Sequence, residues 1–215
     1  MRSAVMEFLP LALVTGVFLW MRNAAIGGEP TSAPMTILDN VIVSAQGWAE
    51  IMATKMKVLF YYLRIYVLPW PLSYDYSYDQ VPVTGWGAIE PILGLILYGA
   101  LSVVAVLKFR KWPALSFLIL YFFITSSPTN NLFFLNGATV AERFLFLPSV
   151  LYGVALVLLG SRLLSVDTSG FAGKNKQLFS GVLALWLVFF AGASFSRAGV
   201  WKSNMSLFES GIISA

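Results

Sequence analysis

Hydrophobic positions along this chain come in blocks rather than in alternation. Residues 5–21, 88–107, 113–127, 145–161 and 177–195 form five nearly continuous apolar runs. A helix needs about 20 such residues to cross the hydrocarbon core of a bilayer, and 113–127 falls short of that. A helix also satisfies its own backbone groups in lipid. The blocks therefore predict an all-α fold: a polytopic membrane helical bundle of about five transmembrane helices. A sixth apolar stretch, 51–68, is interrupted by Lys55, Lys57 and Arg64. Thr54, Lys57, Tyr61 and Arg64 recur at i, i+3, i+7 and i+10, one polar stripe on an otherwise apolar helix. That spacing predicts an interfacial amphipathic helix lying on the membrane. Lys55 falls off the stripe and is expected to snorkel.

Composition agrees with the blocks. The 215 residues are 58% hydrophobic and 11% charged, against about 25% charged in soluble domains. The absence of cysteine and histidine excludes disulfides, imidazole proton shuttling and Cys/His zinc sites. Acid–base chemistry within the chain falls to Asp, Glu, Lys or Tyr. The net charge of +4 is spread over scattered residues, whereas nucleic-acid binding needs a basic stripe, so no nucleic acid is expected. Nothing in the chain implies a cofactor or a metal.

The placement of Lys and Arg sets an expected orientation. Arg2, Lys108, Arg110, Lys111, Arg162, Lys174 and Lys176 fall on one side of the five-span threading, together with 2 acidic residues. The other side carries 7 basic and 8 acidic residues. Placing the first set in the cytoplasm puts residues 22–87, 128–144 and the C-terminus outside.

Two of these outer segments concentrate the unusual residues. The first is LPWPLSYDYSYDQVP at 68–82, and the second is SSPTNNLFFLNGATVAERFLFLPS at 126–149. The plainer reading makes Trp70, Tyr74, Tyr76 and Tyr78 an aromatic belt at headgroup depth, with Arg143 a snorkelling anchor. The functional reading has both segments face one cavity. There Arg143, Arg64 and Lys57 bind a lipid-linked phosphate through charge-assisted hydrogen bonds. Asp75, Tyr74 and Glu142 then shape a pocket for sugar or acceptor. Adjacent residues do not share a helix face, so Glu142 and Arg143 are expected to have different partners. At the C-terminus, Ser206 and Glu209 have capping-box spacing, and Met205, Phe208 and Ile212 line one apolar face. That helix either lies on the membrane or leads into further helices of a longer parent.

Three stretches occur in an order that resembles a known family: the segment from DN at 39–40 through YLRIYVLPWPLSYDYSYDQVP, then SPTNNLFFLNGATVAERFLFLPS, then RAGVWKSNMSLF at 197–208. The family is that of the TMTC-type O-mannosyltransferases, transmembrane and TPR-repeat-containing proteins, and their bacterial relatives. AERFLFLPS is the most specific part, and YDYSY is closer to the bacterial members. Val41 stands where the family tends to have proline, and Phe146 where it tends to have tyrosine. The resemblance implies a GT-C glycosyltransferase fold, with this chain as the C-terminal part of its membrane region. On that reading residues 1–196 are a membrane-domain fragment and 197–215 open an extracytoplasmic TPR-like helical region. The resemblance also implies transfer of a mannose-like sugar from a polyprenyl- or dolichyl-phosphate donor to a protein acceptor. Its acidic catalytic residues would lie upstream, so no catalytic residue is assigned within this chain. A bacterial inner membrane is expected rather than the endoplasmic reticulum.

Two other functions fit the composition. A transporter or flippase of a lipid-linked substrate would place charges near the midplane of the spans, yet Glu7 and Glu90 sit near span ends. A non-catalytic membrane anchor presenting TPR repeats for protein binding would leave the outer charges dispensable.

Overall fold

The computed structural model describes residues 2–26, 34–73, 76, 80–163 and 174–214. The chain divides into two compact units, Met1–Met35 and Thr36–Ala215. The first unit is built on α1 (Arg2–Ile26), a 25-residue helix that contains Pro10 and covers the first expected span.

In the second unit a 3-10 turn (Val41–Ser44) precedes α2 (Gly47–Val67), α3 (Ile89–Lys108) and α4 (Pro113–Ser126). A second 3-10 turn (Glu142–Leu145) runs into the short α5 (Phe146–Ser149). Then come α6 (Tyr152–Leu163), α7 (Lys174–Val200) and α8 (Asn204–Ser214). No strand occurs among the described residues, so the fold class is all-α. α3 and residues 177–200 of α7 are long and apolar enough to cross a membrane. Residues 142–149 and 152–162 form a pair bent by 57° that would make a third span. α4, with 14 residues, is apolar but shorter.

The core of the second unit is organised around α2. Gly47, at φ +80°, turns the chain into the helix in a region that glycine occupies without steric cost. Gln46 N donates to Glu50 Oε2 across the first turn. At the other end Leu68 N donates to the Arg64 carbonyl, and Pro69 lacks the N–H needed to continue. Ala53, Val58, Leu59, Tyr62 and Ile65 are buried along its length. α3 crosses it at Gly94, where a Cβ would lie 2.1 Å from the Met56 carbonyl oxygen. Only glycine permits so close a crossing.

The polar stripe of α2 serves a different end from the one its spacing suggests. Thr54 and Lys57 are buried, and only Arg64 is exposed. Thr54 Oγ1 donates to the Thr84 carbonyl and accepts from Thr84 N at 3.1 Å. Lys57 Nζ donates to the Pro82 carbonyl at 3.0 Å. Lys55, expected to snorkel, donates to the Leu132 carbonyl at 2.9 Å. Loop carbonyls that lack helical partners must be satisfied when covered, and the α2 side chains supply the donors.

The bend before α6 is stabilised in the same way. Tyr66 Oη donates to the Pro148 carbonyl at 3.2 Å and Tyr121 Oη to the Leu147 carbonyl at 3.0 Å. The tyrosines thus satisfy carbonyls where the helix breaks. Around them Tyr66 packs on Phe122 and Tyr152 with ring centroids 4.8 and 5.0 Å apart.

α8 starts earlier than its capping signature suggested. Ser203 N donates to Ser206 Oγ, and Ser206 N to Ser203 Oγ, both at 3.2 Å. The reciprocal cap is therefore Ser203 with Ser206, not Ser206 with Glu209. A serine hydroxyl at the third helical position takes the role usually given to Glu or Gln.

Candidate functional site

Two polar assemblies join α2 and the segments that flank it to the stretch between α4 and α5. The first joins the DN at 39–40 to residues 129–139, and its two central asparagines are fully buried. Asn40 Nδ2 donates to Asn131 Oδ1 at 2.9 Å and to the Asn136 carbonyl at 3.0 Å. Asn40 Oδ1 accepts from Ile42 N. Asn131 Nδ2 donates to the Ala138 and Thr139 carbonyls, both at 2.9 Å, and its Oδ1 also accepts from Asn136 N. Asn131 has φ 61°, a left-handed conformation that asparagine tolerates better than most residues. Val41 N donates to Thr139 Oγ1 at 2.9 Å. A proline at position 41 would have no proton for that bond, so the departure from the family pattern noted above has a structural use here.

The second assembly is built on Tyr62. Its hydroxyl accepts from Ala141 N at 3.3 Å and lies 3.4 Å from the Thr129 carbonyl. That contact fixes the backbone just before Glu142. Glu142 Oε1 accepts from Tyr76 Oη at 3.0 Å, and Tyr76 Oη accepts from Ser73 N at 3.1 Å. Burial raises the Tyr76 phenol well above its ordinary value. The Ser73 N–H opposes that shift, the Glu142 carboxylate reinforces it, and the positive charge of Arg197 opposes it. The phenol is therefore a proton donor throughout the physiological range. Arg197 comes from the last turn of α7, and its Nη2 is buried without a hydrogen-bond partner among the described residues.

Beside this cluster lies a cavity of about 130 Å³ lined by Tyr61, Arg64, Ile65, Ser73, Tyr76 and Gln80 among others. Small-molecule sites usually span roughly 300–1,000 Å³. The cavity fits a phosphate or part of a sugar ring rather than a whole lipid-linked sugar. Arg64 on its wall donates through Nη2 to the Trp70 carbonyl at 3.3 Å, and its guanidinium sits 5.8 Å from the Tyr61 ring centroid. Among the described residues no cluster of three or more acidic side chains is placed to hold a metal ion.

The residues singled out from sequence separate here. Arg64 lines the cavity, and Glu142 reaches it through Tyr76. Lys57 lies buried against the 82–84 loop. Arg143 is exposed, with its guanidinium 5.2 Å from the Phe144 ring centroid. Glu142 and Arg143 thus have different partners. Tyr74 and Asp75 lie outside the described residues. Tyr76, assigned to the aromatic belt, turns out to be the hydrogen-bond partner of Glu142. Ser73 and Arg197 carried no signal beyond their place at segment ends.

The fold and this cluster define a helical membrane protein whose loops converge on a small, polar, partly buried cavity. No family model matches the chain, and no solved structure resembles it. Among curated proteins it is similar to a protein O-mannosyl-transferase of Caenorhabditis elegans, 28% identical over 98% of this chain and 29% of that protein. It is 32% identical to protein O-mannosyl-transferase TMTC4 of Homo sapiens, over 71% of this chain and 21% of that protein. It is 39% identical to protein O-mannosyl-transferase tmtc2 of Xenopus laevis, over 46% of this chain and 11% of that protein. The chain belongs to the TMTC family of protein O-mannosyl-transferases. It spans less than a third of the length of these relatives.

Proposed function

We propose that the chain is part of an integral-membrane glycosyltransferase of the GT-C type. It transfers a mannose-like sugar from a polyprenyl-phosphate donor to hydroxyl groups of a protein acceptor. The observation that carries this reading is the alignment of 98% of the chain with a protein O-mannosyl-transferase. The cavity supports it with chemistry suited to such a donor.

On this reading Arg64 meets the donor phosphate in the cavity, and its planar fork suits two phosphate oxygens. Arg143, exposed and next to Glu142 in sequence, provides a second cation at the approach, and Lys57 holds the 82–84 loop that lies behind. Glu142 accepts hydrogen bonds from Tyr76 and from sugar or acceptor hydroxyls, with Tyr74 and Asp75 as neighbours in sequence. The carboxylate that deprotonates the acceptor belongs to another part of the parent protein. The cationic wall stabilises charge on the departing lipid phosphate. The cavity and the C-terminus face the extracytoplasmic side of a bacterial inner membrane, and residues 197–215 lead into TPR-like helices.

The test uses the full-length parent in native membranes with radiolabelled polyprenyl-phosphate mannose and an acceptor protein. Wild type transfers label to the acceptor. Arg64→Ala and Glu142→Gln each lower transfer about tenfold or more, the loss expected for one charged hydrogen bond worth roughly 1.5–3 kcal/mol. Wild-type rates in both variants would remove these residues from the site. No transfer by the wild-type parent with any polyprenyl-linked sugar would overturn the glycosyltransferase reading itself.

A further inference from the structure

A groove of the second unit shares no lining residue with the cavity beside Glu142 and plays no part in the proposed transfer. It has a volume of about 610 Å³ and lies along the C-terminal half of α3 and the facing side of α4. Ala105, Val106, Leu107, Phe109, Leu120 and Phe123 give it apolar walls, and Arg110 and Lys111 close one end. Its floor is firmly packed. Ser116 is fully buried and its Oγ donates to the Ala105 carbonyl at 2.7 Å, which locks α4 to α3 beneath the groove.

Among the described residues the charge at that end is of one sign. Lys108 stands at the last turn of α3, and Arg110 and Lys111 follow it in the turn before α4. A fourth cation comes from α6, where the Arg162 guanidinium sits 4.3 Å from the Trp112 ring centroid. Among the described residues no carboxylate lines the groove. Trp112 N donates to the Lys108 carbonyl at 2.7 Å, so the turn that carries the cations is itself held in shape.

We propose that this groove is a binding site for an anionic phospholipid. Its acyl chain lies along Val106, Leu107, Leu120 and Phe123, and its headgroup phosphate contacts Arg110 and Lys111. The combination of apolar trough and cationic end matches an anionic amphiphile. A purely apolar helix packed into the same trough would instead cover both cations without an acceptor, which is costly. Basic pockets beside membrane helices take anionic headgroups for the same reason. The volume falls within the range of small-ligand sites and holds one acyl segment rather than a second helix.

The experiment uses the full-length parent purified in mild detergent. It is titrated with phosphatidylglycerol and, separately, with zwitterionic phosphatidylcholine, and retained lipid is read by native mass spectrometry. A phosphatidylglycerol with a photoreactive acyl chain maps the contact. Wild type should retain phosphatidylglycerol in preference and crosslink within residues 102–123. Arg110→Ala with Lys111→Ala should weaken that retention about tenfold or more and leave phosphatidylcholine unchanged. Leu107→Trp, which keeps both cations but narrows the trough, should abolish the 102–123 crosslink. Equal retention by the double variant, or crosslinks confined to other segments, would overturn the proposal. So would a crosslink between residues 102–123 and another segment of the parent, which would mean that protein fills the groove. Mannosyl transfer measured alongside is independent, so failure of either idea is visible without the other.

Discussion

The asparagine latch and the Glu142 cavity both involve the stretch between α4 and α5 and use the same kinds of polar group. They differ in how much hydrogen-bonding capacity is left over. In the latch, Asn40 and Asn131 are fully buried, and both polar atoms of each side chain are bonded within the protein. In the cavity region, Glu142 is only half-buried, Arg64 is exposed, and Arg197 keeps a buried nitrogen with no partner among the described residues. Buried polar groups are normally paired. A fully paired network fixes one conformation, whereas groups with unused capacity beside a cavity can meet a ligand. The contrast separates structural polar residues from candidate binding residues in a chain where both occur within a few positions of each other.

Asn131→Ala should have the largest effect. It removes four hydrogen bonds, worth roughly 1 kcal/mol each, and places alanine at a left-handed φ. A loss of about 4 kcal/mol should appear as a large fall in the melting temperature of the full-length parent, with transfer per folded molecule unchanged. Equal loss of activity and stability would merge the two regions into one. Tyr76→Phe probes the other side. It leaves Glu142 without that donor, so transfer should fall about tenfold while the melting temperature moves little.

Val41→Pro removes only the bond to Thr139 Oγ1 and should cost about 1 kcal/mol, read as a small melting shift without loss of activity. Thr139→Val in the same background should add little, because the pair is already broken. The smallest effect concerns pH. The Tyr76 phenol is raised in the folded state, so folding favours its protonated form. Stability from this group is fully present below the unfolded value, near pH 10, and declines as pH rises beyond it. Wild type and Tyr76→Phe should therefore have parallel stability profiles from about pH 6 to 9, and wild type should lose stability relative to the variant only above about pH 10. A difference between them that changes near neutrality would assign the titration to another group.

Much of the fold was legible because helix-length apolar blocks leave few alternatives in lipid. Helices occur at all five blocks, and α3 and α7 reach spanning length and apolarity. The shortness of α4 was also visible, as a short block, whereas the bend between Ser149 and Tyr152 divides a block that reads as one span. The use of α2 was not visible either. Periodicity recorded one polar stripe on an apolar helix, but no local pattern reveals whether such a stripe meets water or the carbonyls of loops distant in sequence. Lys57 and Arg64 look equivalent in that stripe, yet one is buried on the Pro82 carbonyl and the other lines a cavity. The capping residue of α8 was missed for a smaller reason. Ser203 and Ser206 both qualify as caps, and only the backbone geometry chooses between them.

The helical class, the absence of Cys and His chemistry, the family resemblance and the interest of Glu142 are all readable from the order of residues alone. Each depends on composition, on local period or on a motif contained within a few residues. Only the tertiary structure paired Glu142 with Tyr76, set Arg197 near them, and joined Asn40 to Asn131 across 91 positions. Such pairings depend on how α2, α3 and α4 cross, and that crossing is fixed by close packing at Gly94 and Ser116. It is a property of surfaces meeting in space, which the order of residues along one helix does not express.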